Sequence, residues 1–203
     1  MIPLLPFFLS RHVLPATILI LVPLSVGPIT ARATATPAIL DTYSNDKQNA
    51  HGVDRLLFDD KGAGGQSHAT QKSADGILQV EGELIPGRGA PAFISLVSLL
   101  TPDAKPQDLT GYEGVRLRVK NTKGLLSVQV ASTEVQNFDY HTSTPIAAIR
   151  GEFQEVRLPF KAMKRAWSEQ TVLNLNTITS INLVSFAMAR ETFSYEVDEI
   201  GFY

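Results

Sequence analysis

An antiparallel β-sandwich or jelly roll is the fold that this sequence predicts, and three observations carry the prediction. Apolar residues recur at period two in at least five separate runs. Turn-forming clusters separate those runs at regular intervals. Two further runs are apolar almost throughout, as central strands covered on both faces should be.

Taken in order, "GILQVEGEL" sets Leu78, Val80 and Leu84 against Gln79, Glu81 and Glu83. "GVRLRVK" sets Val115, Leu117 and Val119 against Arg116, Arg118 and Lys120. "LLSVQVAS" places Leu126, Val128 and Val130 opposite Ser127 and Gln129. In "EFQEVRLPF" the inward residues are Val156, Leu158 and Phe160, and in "FSYEVDEIGFY" they are Phe193, Tyr195 and Val197. "AFISLVSLL" and "TSINLVSFAMA" are the continuous runs predicted to lie centrally. "PGRG", "TPDAKPQD", "LTGYEG", "NTKG" and "IRG" supply the turns. Only "FKAMKRAWSEQ", residues 160 to 170, reads as a short helix.

The closing strand breaks its own pattern. Ile200 and Phe202 follow Asp198 on the same parity. Either the two ends of the strand pack against different layers, or a bulge near Glu199 flips the register.

The first 33 residues are of a different composition. They carry no acid and only Arg11 and Arg32 as fixed charges. An apolar run from Val13 to Ile29 leads to Ala31-Arg32-Ala33. This reads as a secretory signal with an A-x-A cleavage site. A membrane anchor is the competing reading, but Pro15, Pro23, Gly27 and Pro28 interrupt the run. The predicted organisation is a signal peptide over 1–33, a short linker over 34–38 and one sandwich domain over 39–203. The expected address is periplasmic or extracellular, with no integral membrane span after processing.

Composition excludes several chemistries. There is no cysteine, which removes disulfides, thiolate zinc sites and thiol nucleophiles. Losing Arg11 and Arg32 takes the formal charge from −2 to −4, a poor match to a phosphate backbone, so nucleic acid is not an expected partner. "GAGGQS" lacks the lysine of a phosphate loop and the third glycine of a dinucleotide fold. Glycines in a tight corner explain it more simply. Glu81, Glu83, Glu196 and Asp198 could be paired on paper for glycoside hydrolysis, but acids on the solvated face of a strand are commonplace. The sequence therefore predicts no enzyme.

Two binding chemistries stay open. A structural calcium could join the start of the domain to its end, with Asp41, Asp59 or Asp60 meeting Asp198; the alternative is that these aspartates are solvated or cap N–H groups. Sugar binding asks for exposed aromatic faces beside planar polar groups. Phe138, Tyr140, His141 and Trp167 are the rings, and Arg116, Arg118 and Gln129 are the polar candidates on outward strand faces. Of these, Arg116, Arg118, Gln129, Tyr140 and Trp167 form the predicted ligand set, and Asp41 with Asp198 the predicted metal pair.

With these residues in view, the chain resembles the complex I intermediate-associated protein 30 family, which belongs with the galactose-binding-like jelly rolls. "ILDTYSN" is similar to the family's opening Leu-Asp-Asp-Phe-Ser stretch, and "DDKGAGGQS" to its Asp-Gly-Val-Met-Gly-Gly-x-Ser loop. "DLTGYEGVRLRVK", "EVRLPF" and "YEVDEIGFY" are similar to three further family segments, in the family's order. Gly62-Ala63 replaces the Val-Met pair, and Leu56-Leu57 stands where a tryptophan is usual. The resemblance implies a galactose-binding-like jelly roll whose glycine-rich loop is structural. Mitochondrial members assist assembly of respiratory complex I, and secreted bacterial members look like carbohydrate-binding modules. The expectation is a non-catalytic module for a glycan or another envelope ligand. The alternative is an assembly protein acting on an envelope or respiratory complex.

Overall fold

Eleven strands and three single turns of 3-10 helix make up the secondary structure of the computed structural model, which describes Thr36 and residues 38–148 and 151–203. The strands are β1 (Ile39–Asp41), β2 (Leu56–Asp59), β3 (His68–Ala74), β4 (Ile77–Leu84), β5 (Ala92–Leu99) and β6 (Gly114–Lys123). They continue with β7 (Leu126–Ser132), β8 (His141–Thr142), β9 (Gln154–Pro159), β10 (Ile178–Ala187) and β11 (Glu191–Phe202). All pairings are antiparallel. One sheet runs β3-β4-β11-β6-β9, with β1 as its sixth strand against β11, and the other runs β2-β5-β10-β7-β8. The chain crosses repeatedly from one sheet to the other, which is the jelly-roll sandwich that the sequence predicts.

Each period-two run buries the side it was expected to bury. Leu78, Val80 and Leu84, then Val115, Leu117 and Val119, then Phe193, Tyr195 and Val197 face inward from the six-stranded sheet. Ala92, Ile94, Leu96, Leu126, Val128, Val130, Ile181 and Leu183 meet them from the five-stranded one. Each fully buried Leu, Val, Ile or Phe contributes about 1.5–3 kcal/mol relative to exposure, so this layer holds the two sheets together. β10 is the central strand of its sheet and β5 lies next to it, as their continuous apolar runs require.

The break in the last strand is a bulge. Val197 pairs with Val119 and Glu199 with Arg118, which leaves Asp198 as an extra residue. Ile200 and Phe202 are thereby returned to the core side. β1 lies against the end of β11, with Ile39 opposite Gly201. A Cβ on Gly201 would sit 2.3 Å from the Ala38 carbonyl, so glycine is what permits the close approach. The start and finish of the domain are side by side, as expected.

The helix expected over 160–170 does not form. A 3-10 turn spans Phe160–Ala162, and the chain then runs extended past Lys164. Lys164 exchanges backbone hydrogen bonds with Thr142 (2.9 and 3.1 Å), while the N–H groups of Ala166 and Trp167 donate to the Asp139 side chain. Donors that an α-helix would turn onto its own carbonyls are taken by β8 and its approach.

The expected signal segment, 1–33, lies outside the described residues. Two residues of the expected linker are held by the domain. The Thr36 hydroxyl donates to the Asp108 carbonyl, and the Ala38 carbonyl accepts from the Phe202 N–H. Among the described residues no helix is long and apolar enough to cross a membrane.

Candidate functional site

Because successive strand residues alternate, each sheet has one face in the core and one facing away from it. On the outer face of the five-stranded sheet, register aligns Leu56, Val97, Asn182, Gln129 and Thr142 across five strands. The next row carries Phe58, Ser95, Val184 and Ser127. Tyr140 precedes β8 on the parity of Thr142, so its half-buried ring belongs to the same face.

The floor of this face sets Asn182, Gln129, Ser95 and Ser127 among the valines Val97 and Val184. Asn182 Oδ1 accepts from the Ser180 hydroxyl at 2.9 Å. Among the described residues, the Asn182 Nδ2 and the Gln129 side chain make no hydrogen bond, and the buried Ser127 Oγ has no partner. A buried hydroxyl without a partner is uncommon, because losing water without replacement costs about 1–3 kcal/mol. Phe58, on the outermost strand, and Tyr140, beside the opposite edge, give the floor apolar flanks.

Beyond β8 lies a loop pair. Asp139 is 2% exposed, and its carboxylate accepts from the Ala166 N–H (2.7 Å) and from the Trp167 N–H (3.1 and 3.3 Å to its two oxygens). Burial pushes this carboxyl up, but the two N–H groups, Ser168 and Arg165 outweigh it and hold the group below the usual carboxylate range. His141 is buried alongside. Its Nε2 is 2.9 Å from the Thr171 carbonyl, which can only accept, so Nε2 carries the proton. Nδ1 faces the Arg165 Nε–H at 3.5 Å. Burial, with a contribution from Arg165, pushes the His141 imidazolium below the ordinary histidine range. This clasp presents two exposed rings, Phe138 at 80% and Trp167 at 73% exposure.

The outer face of the six-stranded sheet is built otherwise. Arg118 pairs with Asp198 at 2.7 Å, Lys120 with Glu196 at 3.0 Å, and Arg116 with Glu199. Glu155 accepts from Arg157 and Glu83 from Arg190. Arg118 and Lys120 also lie over the Phe153 ring. The predicted ligand set is therefore divided. Gln129 and Tyr140 share one outer face, Trp167 stands on the loop beyond its edge, and Arg116 and Arg118 are on the opposite side, engaged by acids. Alternation distinguishes a core side from a solvent side but does not say to which sheet a strand belongs.

The metal pair is not assembled. Asp41 stands opposite Ile200 on the core side, where Arg55 binds both its oxygens (2.5 and 3.0 Å) and the Tyr43 N–H donates to Oδ1 at 2.8 Å. Asp198 is on the other side of the sheet with Arg118. A calcium at Asp41 would meet a guanidinium, so the residues present do not fit the ion. Asp59 caps the turn that follows it and pairs with Lys61. Among the described residues no three His, Cys, Asp or Glu side chains converge as a metal group.

The glycine-rich loop is structural. Buried Asp60 accepts from the Ser67 N–H (3.0 Å), the Ser67 hydroxyl (2.6 Å) and the Phe93 N–H (3.2 Å). A Cβ on Gly65 would lie 2.1 Å from the Asp60 side chain, and Gly64 ends the turn at φ 83°. Sequence reasoning missed Asn182 and Asp139. Asn182 was visible as the one amide inside an apolar run. Nothing local marked Asp139, whose partners are 27 and 28 residues away.

Two antiparallel sheets joined face to face with jelly-roll crossings define the class: a β-sandwich of the kind found in carbohydrate-binding modules. Solved structures that share it include two carbohydrate-binding modules. A family 11 carbohydrate-binding module of a cellulosomal cellulase of Clostridium thermocellum superposes with a TM-score of 0.59 at 14% identity, covering 84% of this chain and 95% of that one. A solution structure of CtCBM11 gives 0.54 at 13% identity, over 84% and 96%. At such identities the likeness establishes the fold. No curated protein matches the sequence. The model of the complex I intermediate-associated protein 30 family matches residues 46–197, and the chain belongs to that family.

Proposed function

We propose that the protein is a non-catalytic binding module that takes a carbohydrate on the outer face of its five-stranded sheet. The observation that carries this is the pair Asn182–Gln129. The two are register neighbours, with hydrogen-bonding capacity unsatisfied within the described residues and the Tyr140 ring on the same face. A side-chain amide offers a donor and an acceptor in one plane, which suits vicinal hydroxyls, and an aromatic ring covers the C–H face of a sugar. The structural likeness to carbohydrate-binding modules supports the reading. An exported address, argued from residues 1–33, belongs to the same proposal.

Glycan-array screening followed by calorimetry tests it. The expected result is binding that Asn182→Ala and Gln129→Ala each weaken about tenfold, the equivalent of about 1.4 kcal/mol. Binding untouched by either substitution refutes the site. Absence of glycan binding, with co-purification of a membrane complex, favours the alternative of an assembly protein for an envelope or respiratory complex.

A further inference from the structure

Three features of the loop pair beyond β8 belong together. Phe138, an exposed aromatic residue, sits at φ 61° in the left-handed region, which disfavours any side chain with a Cβ. The Tyr140 N–H donates to the Phe138 carbonyl at 3.0 Å, closing a tight three-residue turn with Asp139 at its centre. That turn brings the Phe138 and Tyr140 rings to 6.5 Å, edge to face. Strain of this kind persists only where surrounding structure enforces it. The enforcement is the Asp139 carboxylate, which faces away from solvent and ties the turn to Ala166 and Trp167. Neither Phe138 nor Trp167 is buried in the core, so the strained turn serves no packing purpose there. What it does is fix the backbone from which the exposed rings project.

The place of these rings follows from the sheet. The row from Leu56 to Thr142 crosses five strands, about 19 Å at the usual inter-strand spacing. Tyr140 is at the end of that face, Phe138 lies in the loop that joins β7 to β8, and Asp139 ties that loop to the Trp167 loop beyond β8. A single sugar ring cannot span such a surface. A chain laid across the strands reaches the rings.

Building on the carbohydrate reading, we propose that the ligand is a linear oligosaccharide lying across the strands. Phe138, Tyr140 and Trp167 seat its far end, and Asp139 is the positioning residue that preforms this seat. Fixing rings before binding removes the ordering cost that a flexible loop would impose. Asp139 touches no ligand. It acts through the turn.

The test uses the full chain with cello- and chito-oligosaccharides from disaccharide to hexasaccharide. Wild-type affinity should rise with length, by about tenfold between the shortest chain that binds and the longest. Asp139→Ala should abolish the rise with length. Asp139→Asn should restore it, because one amide oxygen can accept from both N–H groups, as Oδ1 does at 2.7 and 3.1 Å. Trp167 is the chain's single tryptophan, so its fluorescence anisotropy should fall in Asp139→Ala and recover in Asp139→Asn. Should Asp139→Ala not fold, the double variant Phe138→Ala/Trp167→Ala removes the seat without touching the clasp and should flatten the length dependence alike. Equal affinity for short and long oligosaccharides overturns the extended seat but leaves the carbohydrate reading standing. A length dependence unchanged in both variants overturns it too. No binding at any length removes both.

Discussion

The two outer faces of this sandwich are made from strands of the same alternation yet are chemically opposed. On the six-stranded side, cations and acids stand at neighbouring register positions and neutralise one another, as in Arg118–Asp198, Lys120–Glu196 and Arg116–Glu199. On the five-stranded side, Asn182, Gln129 and Ser127 are left with capacity that no described residue uses, between Phe58 and Tyr140. The lesson is that a polar side chain facing away from a core is informative through its partners. A guanidinium already held by a carboxylate must lose that partner before it can hold a ligand. An amide with none gives up only water.

The largest effect should come from the charge pair that belongs to neither outer face. Arg55→Ala leaves the Asp41 carboxylate buried and unpaired, and should lower stability by about 3–5 kcal/mol in urea titrations. If the loss matches that of an outer-face pair, burial does not separate these two kinds of charge. Next in size is ligand affinity. Asn182→Ala should cost about tenfold in binding, whereas Arg118→Ala should leave it unchanged. Reversal of that order would move the site to the other sheet.

Acid should loosen the five-stranded side first. His141 has its pKa depressed in the folded protein, so its contribution is fully present above the unfolded value of about 6.5 and is lost as pH falls through the folded one. Protonation would place an Nδ1–H against the Arg165 Nε–H. Melting temperature should therefore decline below about pH 6.5, and His141→Gln should flatten that segment of the curve. Glu134 titrates lower. Burial pushes it up, but hydrogen bonds from Thr177 and Asn174 hold it down at about 2, so its contribution fades between its unfolded value and there. The smallest effect is reserved for the ion-paired face. Arg118→Ala should change stability by no more than about 1 kcal/mol, and high salt should reduce even that. A larger, salt-resistant loss would mean that the array acts as a cooperative network.

How much of this was legible in sequence follows from the range of each interaction. Val115, Leu117 and Val119 declare a strand within seven residues, and the parity break at Asp198 narrowed the closing strand to a bulge or a change of layer before any pairing was known. Arg118 and Gln129 both face outward as read, but on opposite sheets, because sheet membership depends on which strands pair, and those partners are distant in sequence. The helix expected at 160–170 failed for a related reason. "FKAMKRAWSEQ" has helical propensity, but its N–H groups are claimed by Thr142 and Asp139 from elsewhere in the chain. Asp41 was correctly placed at the meeting of the domain's two ends. Its partner is Arg55, which no short-range pattern connected to it.

The position of β11 bears on how the domain comes to be folded at all. This final strand of the domain hydrogen-bonds to β4 and β1 along one edge and to β6 along the other, so without it the six-stranded sheet has no middle. Its pairings reach back to the first strand, and such non-local contacts are slow to form because long loops must close before any reward follows. On a ribosome, the five-stranded sheet has all its strands once β10 has emerged, while the other sheet stays in two halves, β3-β4 and β6-β9. Closure waits for the last twelve-residue strand, and until then the nascent domain is a client for whatever keeps unfolded chains apart.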